Sequence, residues 1–134
     1  MNRIQAQVTA IKSEQNITIV TFYAAEEVMR MMALELDREI AVGTKVVLGV
    51  KATSITLAKG LMGEVSSSNQ LEVYVDRIIT GALLCSVRFT FAGVSLESVI
   101  TKASAERMLL KEGDAVTALV KSSDLSILEV VPWT

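Results

Sequence analysis

The chain has 134 residues, is 51% hydrophobic and carries a net charge of −2, with an isoelectric point near 5.2. That acidic balance excludes the basic field that non-specific nucleic-acid binding needs, and 4% aromatic residues leave few platforms for stacking bases. Mean hydropathy is high at +0.45, yet no apolar run reaches the roughly 18 residues of a membrane-crossing helix and the N-terminus lacks a signal-peptide shape, so a cytoplasmic location is expected. Histidine is absent and Cys85 is the single cysteine, which excludes disulfide frameworks and Cys/His metal centres.

Taken in chain order, the first half is the less regular. The segment 24–40 (AAEEVMRMMALELDREI) would pass as an amphipathic helix on propensity alone. The following stretch, Val42 to Leu57 (VGTKVVLGVKATSITL), returns later as Glu112 to Leu128 (EGDAVTALVKSSDLSIL). Gly43 matches Gly113, Val46 Val116, Val50 Val120, Lys51 Lys121 and Ile55 Leu125, all 70 residues apart. Upstream, Asn2 matches Asn69, Val8 Val75 and Val20 Val87, 67 residues apart, and the change is assigned to three extra residues around Ala92 to Ser95. A repeat of this length decides the architecture ahead of local propensity. It therefore assigns Glu27 to Met32 to a strand and Leu34 to Arg38 to a short helix.

The Gly/Ser-rich stretch Lys59 to Ser68 (KGLMGEVSSS) interrupts the pattern as a connection does. Beyond it the second copy reads clearly. Residues 70–78 alternate as a strand, residues 84–91 form a second and residues 94–101 a third after the Ala92-Gly93 turn. A short helix is expected over 104–109, then strands over 115–121 and 125–131. The order β-β-β-α-β-β fits a small Greek-key barrel. The expected class is all-β with one short helix per domain, as two tandem OB-like five-stranded Greek-key barrels: a first domain over 1–60, a linker over 61–68 and a second domain over 69–134.

The chemistry points away from catalysis. No group titrating near neutrality is available, and Cys85 sits mid-strand among apolar neighbours as a small core residue. The acids fall at turns and on exposed faces rather than as a paired dyad, so no enzyme is expected. What remains is a set of hydrogen-bond donors at strand ends and turns: Lys121-Ser122-Ser123, Thr101 with Ser104, and Ser66-Ser67-Ser68-Asn69. Hydroxyls, backbone N–H groups and an ammonium are the groups that hold a tetrahedral oxyanion. Each also has a plain structural role available. Thr101 and Ser104 suit a helix cap, the serines a flexible linker, and Lys121 an exposed strand end.

At this point the sequence resembles the molbindins, the Mop-type (TOBE) molybdate-binding domains. Residues 101–128 (TKASAERMLLKEGDAVTALVKSSDLSIL) are similar to that family's T-x-x-S, its short L-x-L-x-x-G-D turn and its V-x-A-x-[IV]-K-[AS]-[ST] segment. GALLCSV at 81–87 and SSSNQL at 66–71 resemble its second-strand segment and its S-A-R-N-Q-L start, with Ser68 where the family has arginine. The resemblance implies OB-like barrels that bind molybdate or tungstate at interfaces between domains. It nominates Ser66, Ser68, Asn69, Thr101, Ser104, Lys121 and Ser122 in the second copy, and Asn2, Lys51, Ala52 and Thr53 in the first. In the first copy, Met31 and Leu34 are expected where the family has Thr and Ser. The implied function is a cytoplasmic protein for molybdenum or tungsten storage and homeostasis, with molybdate or tungstate as bound ligand and no organic cofactor. It would be a homo-oligomer, dimer or trimer, without nucleic-acid or membrane partners. The competing expectation is a non-enzymatic oligomerisation or effector module that binds another protein and has degenerate anion sites. Met29, Met31, Met32, Leu61, Met62 and Val131-Pro132-Trp133 are the expected contact surface.

Overall fold

The computed structural model of the chain describes residues 1–132. The strands are β1 (Asn2–Glu14), β2 (Ile17–Ala24), β3 (Glu27–Ala33), β4 (Lys45–Val50), β5 (Thr56–Ala58), β6 (Asn69–Thr80), β7 (Leu84–Phe91), β8 (Val94–Thr101), β9 (Ala115–Val120) and β10 (Ser126–Val131). One short helix, α1 (Lys102–Arg107), follows β8, and 3₁₀ turns at Ala52–Ser54 and Ser122–Asp124 follow β4 and β9. The strands make two five-stranded OB-type sheets, ordered β10-β4-β1-β2-β3 and β5-β9-β6-β7-β8.

Alternation along the first strand of each repeat buries one face. Ile4, Ala6 and Val8 of β1 face inward, as do Leu71, Val73 and Val75 of β6. Residues equivalent in the repeat are buried together: Val20 with Val87, Phe22 with Phe89, Met29 with Leu96, Val50 with Val120, and Ile55 with Leu125. They belong to one continuous apolar cluster that runs through both sheets. Cys85 is buried within its strand, as a core residue.

The fifth strand of each repeat is exchanged. β5 leaves the first repeat and pairs with β9, Thr56 opposite Leu119, while β10 returns and pairs with β4, Ser126 opposite Gly49. β10 crosses β4 closely at Gly49. A Cβ there would stand 2.6 Å from Leu128 Cγ, because the Leu128 side chain lies over the bare glycine backbone.

The segment 24–40 contains β3 and no helix, because Glu27–Ala33 pairs along the edge of β2 and buries Met29 and Met31. The turns before β3 and β8 have equal length, with positive φ at Ala25 and Glu26 (46° and 74°) and at Ala92 and Gly93 (55° and 75°). Two successive positive φ values are the signature of a type I′ hairpin. The three extra residues of the second copy therefore do not lie at Ala92 to Ser95. They lie beyond β8, where α1 forms. The helix expected over Leu34 to Arg38 is absent, and that shorter segment makes bends and a turn. In repeat register Met31 then corresponds to Ser98, and Leu34 to Thr101.

Helix α1 is held at both ends. Thr101 Oγ1 accepts from Ser104 N at 3.1 Å, an N-cap. At the other end Lys59, from the connection between the repeats, donates to the carbonyls of Met108 and Leu109 at 3.2 Å each. The same ammonium pairs with Asp114 Oδ2 at 3.1 Å. The backbone N–H of Lys111 also donates to this carboxylate, and with Lys59 it holds the Asp114 carboxyl below its usual range despite the desolvation that opposes it.

The expected contact surface divides. Met29 and Met31 are core residues, whereas Met32, Leu61 and Met62 are exposed. Val131 is half-buried and Pro132 exposed, and Trp133 lies outside the described residues. No helix among the described residues is long and apolar enough to cross a membrane.

Gly49→Ala is expected to destabilise the fold by about 1–3 kcal/mol, because Leu128 must move to admit the methyl group. Leu128→Ala removes that obstruction, so Gly49→Ala is expected to cost much less in its background. Chemical denaturation of both single variants and the double variant checks this. Additivity within about 0.5 kcal/mol would mean that the two residues do not meet across the exchanged pair.

Candidate functional site

The asparagines that open β1 and β6 do the same work on opposite sheets. Asn69 is fully buried, and its Nδ2 donates to Arg30 O at 2.9 Å and to Val120 O at 3.0 Å. Its Oδ1 accepts from Arg30 N at 2.7 Å. Asn2 repeats the arrangement on the other side, donating to Glu97 O at 2.8 Å and accepting from Glu97 N at 2.7 Å. Arg30 and Glu97 sit on β3 and β8, the outermost strands of the two sheets. A primary amide presents a donor and an acceptor side by side, so one asparagine satisfies an edge residue as a neighbouring strand would. Both Asn69 amide hydrogens are consumed in this way, and its side chain has no donor left for a ligand.

Beside each asparagine is a lysine turn. Asn2 lies opposite Val50 and Asn69 opposite Val120, so Lys51 and Lys121 follow directly. The two lysines have nearly the same backbone, φ −69°, ψ 142° at Lys51 and φ −65°, ψ 146° at Lys121. Each accepts at its carbonyl from the residue three further on, Ser54 N at 2.9 Å and Asp124 N at 3.0 Å. Both ammonium-bearing side chains are exposed, Ala52 and Ser122 are half-buried, and Thr53 is exposed.

The exchange changes which groups stand together. The turn after Lys51 packs on β8 and the turn after Lys121 packs on β3. Repeat position alone would group Lys121 with Thr101 and Ser104, and Lys51 with Met31 and Leu34. On β8 the Lys51 turn is met at Ser98, whose Oγ donates to Ile55 O at 2.7 Å. Thr101 lies three residues further along the strand, about 10 Å at 3.3 Å per residue. Thr101 and Ser104 are joined to each other, their hydroxyls 2.9 Å apart. Ser66 and Ser68 are exposed in the segment before β6, and the hydroxyl between them, on Ser67, is covered without a partner.

A cleft of about 250 Å³ opens between the two turns, lined by Lys51, Ser54, Ser123, Asp124 and Ser126 together with Met1, Gly49 and Val50. Sequence reasoning missed Arg30 and Glu97 as the edge residues that the two asparagines hold. The repeat offset of 67 residues carries Arg30 onto Glu97. The packing of one repeat against the other brings each beside the other repeat's asparagine.

The TOBE domain family model matches residues 66–127. A crystal structure of the cytoplasmic molybdate-binding protein ModG, in a form with molybdate bound, is 27% identical, covers 98% of this chain and 96% of its own, and gives a TM-score of 0.87. A molybdate-binding protein from Sporomusa ovata is 33% identical over 50% of this chain and 100% of its own, with a TM-score of 0.48. Comparison with curated proteins gives no match.

Asn69→Ala is expected to destabilise the chain by about 2–4 kcal/mol, since it leaves an N–H and two carbonyls without partners in a buried place. Asn2→Ala is expected to cost less, because Asn2 makes two such bonds and not three. Urea denaturation of the two variants ranks them. A loss from Asn69→Ala no larger than from an exposed-residue substitution would contradict the bridging role.

Proposed function

We propose that this chain, which belongs to the TOBE domain family as two tandem Mop-type units, is a cytoplasmic oxyanion-binding protein. It would hold molybdate or tungstate for molybdenum or tungsten storage and homeostasis. The observation that carries the reading is the likeness to ModG over nearly the full length of both chains, in a form with molybdate bound. The donor inventory supports it. Lys121, Ser122, Thr101, Ser104, Ser66 and Ser68, with backbone N–H groups of the lysine turns, offer hydroxyls, amides and positive charge. A dianion leaving water needs that mixture. Asn69 and Asn2 would act by fixing the strands beside these donors, and Lys51, Ala52 and Thr53 would form the counterpart turn. Nothing in this inventory transfers an atom or a proton, so the proposed role is binding without catalysis.

The same inventory supports a homo-oligomer. Within one chain, Thr101 and Ser104 stand along β8 from the lysine turns, so a site using both sets takes them from two copies of the chain. Leu83, Leu109 and Met62 are exposed at 80%, 77% and 91%, and such apolar groups are what a subunit contact would cover. A two-fold dimer or a trimer of two-domain chains fits, with Ser66 and Ser68 of one copy approaching the donors of another. Loss of the family arginine at Ser68 is the observation that favours the second reading, a protein-binding module with degenerate anion sites.

Molybdate or tungstate is expected to stabilise the protein by about 2.7 kcal/mol at a hundred times its dissociation constant, read as a rise in melting temperature. Lys121→Ala is expected to weaken binding by tenfold or more, for a loss of about 1.5–3 kcal/mol. No thermal shift with either oxyanion at millimolar concentration would defeat the oxyanion reading in favour of the protein-binding module.

Light scattering is expected to give a mass above the 14.5 kDa of one chain, increasing or sharpening when molybdate is added. A single-chain mass at micromolar concentration under both conditions would defeat the shared-site reading.

A further inference from the structure

We propose that the open seam between β3 and β10 is a docking site for a cationic amphipathic segment of another protein. The inference goes beyond the oxyanion reading and does not depend on it.

The outermost strands of each sheet, β5 with β8 and β10 with β3, leave a seam between them. The chain closes the first of these itself. β5 contacts β8, and Lys59, just past β5, reaches the Met108 and Leu109 carbonyls at 3.2 Å and Asp114 at 3.1 Å. The other seam lacks every part of this clasp. Seventy positions from Lys59 stands Glu129, which cannot donate and is turned to Arg3 at 3.2 Å. Thr44 stands in the place of Asp114, and no helix follows β3. A cleft of about 660 Å³ remains between β3, the segment 35–40 and β10.

The lining of this cleft specifies its occupant. Leu36, Ile40, Leu125 and Ile127 give it an apolar floor. Met32, 41% exposed, extends that floor to the rim, and Leu34, 73% exposed, follows two residues later. The charges that line it are all negative: Glu35, Asp37 and Glu39 beside Glu129. Only Glu129 has an ion pair among the described residues, and the single cation within 35–39 is Arg38, which does not line the cleft. The carboxylates are spread along the rim, and among the described residues no three acids converge as a metal site requires. An apolar ligand alone would leave these charges unmatched, and a lone cation would leave the floor wet. A segment with apolar side chains on one face and lysine or arginine beside them satisfies both.

Fluorescence anisotropy of the full chain with a labelled leucine-lysine peptide, ordered to give a helix one apolar face, tests this. The controls are the same residues reordered to remove that face, and the peptide with glutamate for lysine. The first peptide is expected to bind in preference to both, and more weakly as salt is raised. Glu35→Gln, Asp37→Asn and Glu39→Gln remove the rim charges, and asparagine at 37 keeps an acceptor for Glu39 N–H. Each is expected to weaken binding about twofold, and the three together close to tenfold. Glu14→Gln, Glu26→Gln and Glu112→Gln remove the same charge elsewhere and are expected to leave binding unchanged. Ala33 is half-buried and lines the cleft, so Ala33→Phe is expected to fill it and weaken binding by about tenfold or more. The melting temperature of each variant checks folding, and the charge variants carry the test if Ala33→Phe does not fold. Equal binding of the control peptides, equal loss from the distant charge variants, or wild-type affinity in a folded Ala33→Phe overturns the proposal. If the wild type ignores the peptide and Ala33→Phe lowers the mass seen by light scattering, a second copy fills the seam and the proposal also falls. None of these readouts involves molybdate, so the oxyanion reading stands or falls separately.

Discussion

The free edges of β3 and β8 are the constraint around which this chain is built. An outermost strand presents unpaired N–H and C=O groups, and leaving them buried without partners is expensive. Here each edge is met by one asparagine amide, Asn69 at Arg30 and Asn2 at Glu97. Each asparagine opens the first strand of the other repeat. Each bridge forms only where the two repeats are folded against one another, and one apolar cluster runs through both.

The exchange of fifth strands acts in the same direction, and side-chain size at two pairs of equivalent positions agrees with it. In the observed pairing, Leu128 of β10 lies over Gly49 of β4, and Ala58 of β5 runs beside the segment of β9 that contains Leu119. If each fifth strand stayed with its own repeat, Ala58 would stand over Gly49 and leave a gap. Leu128 would then meet Leu119, which occupies Gly49's equivalent position, and overfill the contact. Both faults are of the kind that destabilise close-packed interiors. A unit of about 60 residues is marginal alone, burying only about 60% of its unfolded surface. Merging two units through exchanged strands gives the continuous cluster that contains Phe22 and Phe89.

Much of the architecture was legible because the repeat constrains it twice. The strands of the second copy follow from alternation and turn residues, and the repeat overrode the helical look of the segment 24–40. The exchange was not legible. β5 and β10 are equivalent in the repeat, so either could complete either sheet as far as local pattern goes, and the deciding contact of Gly49 with Leu128 is 79 positions apart in the chain. The three-residue insertion was misplaced for a related reason. An alignment gap costs the same at Ala92 as beyond Thr101, and only equal hairpins before β3 and β8 put it at α1. Of the candidate site residues, the asparagines lie beside the lysine turns of their own repeat, where the motifs alone pointed to an approach between chains. Their pairing with Thr101 and Ser104 did not follow from repeat position, because proximity within a repeat is not proximity in an exchanged fold.

This division of labour frees the positions next to the lysine turns. Asn2 and Asn69 read only main-chain atoms of the strands they hold, so they fix where residues 30 and 97 stand without specifying what those residues are. A tandem repeat fused in this way keeps both junctions structurally equivalent while their surface charges diverge, and here one carries an arginine and the other a glutamate. Structural equivalence therefore does not imply equivalent surface charge. The stapled backbone supplies two similar frames, and residues 30 and 97 give them opposite charge.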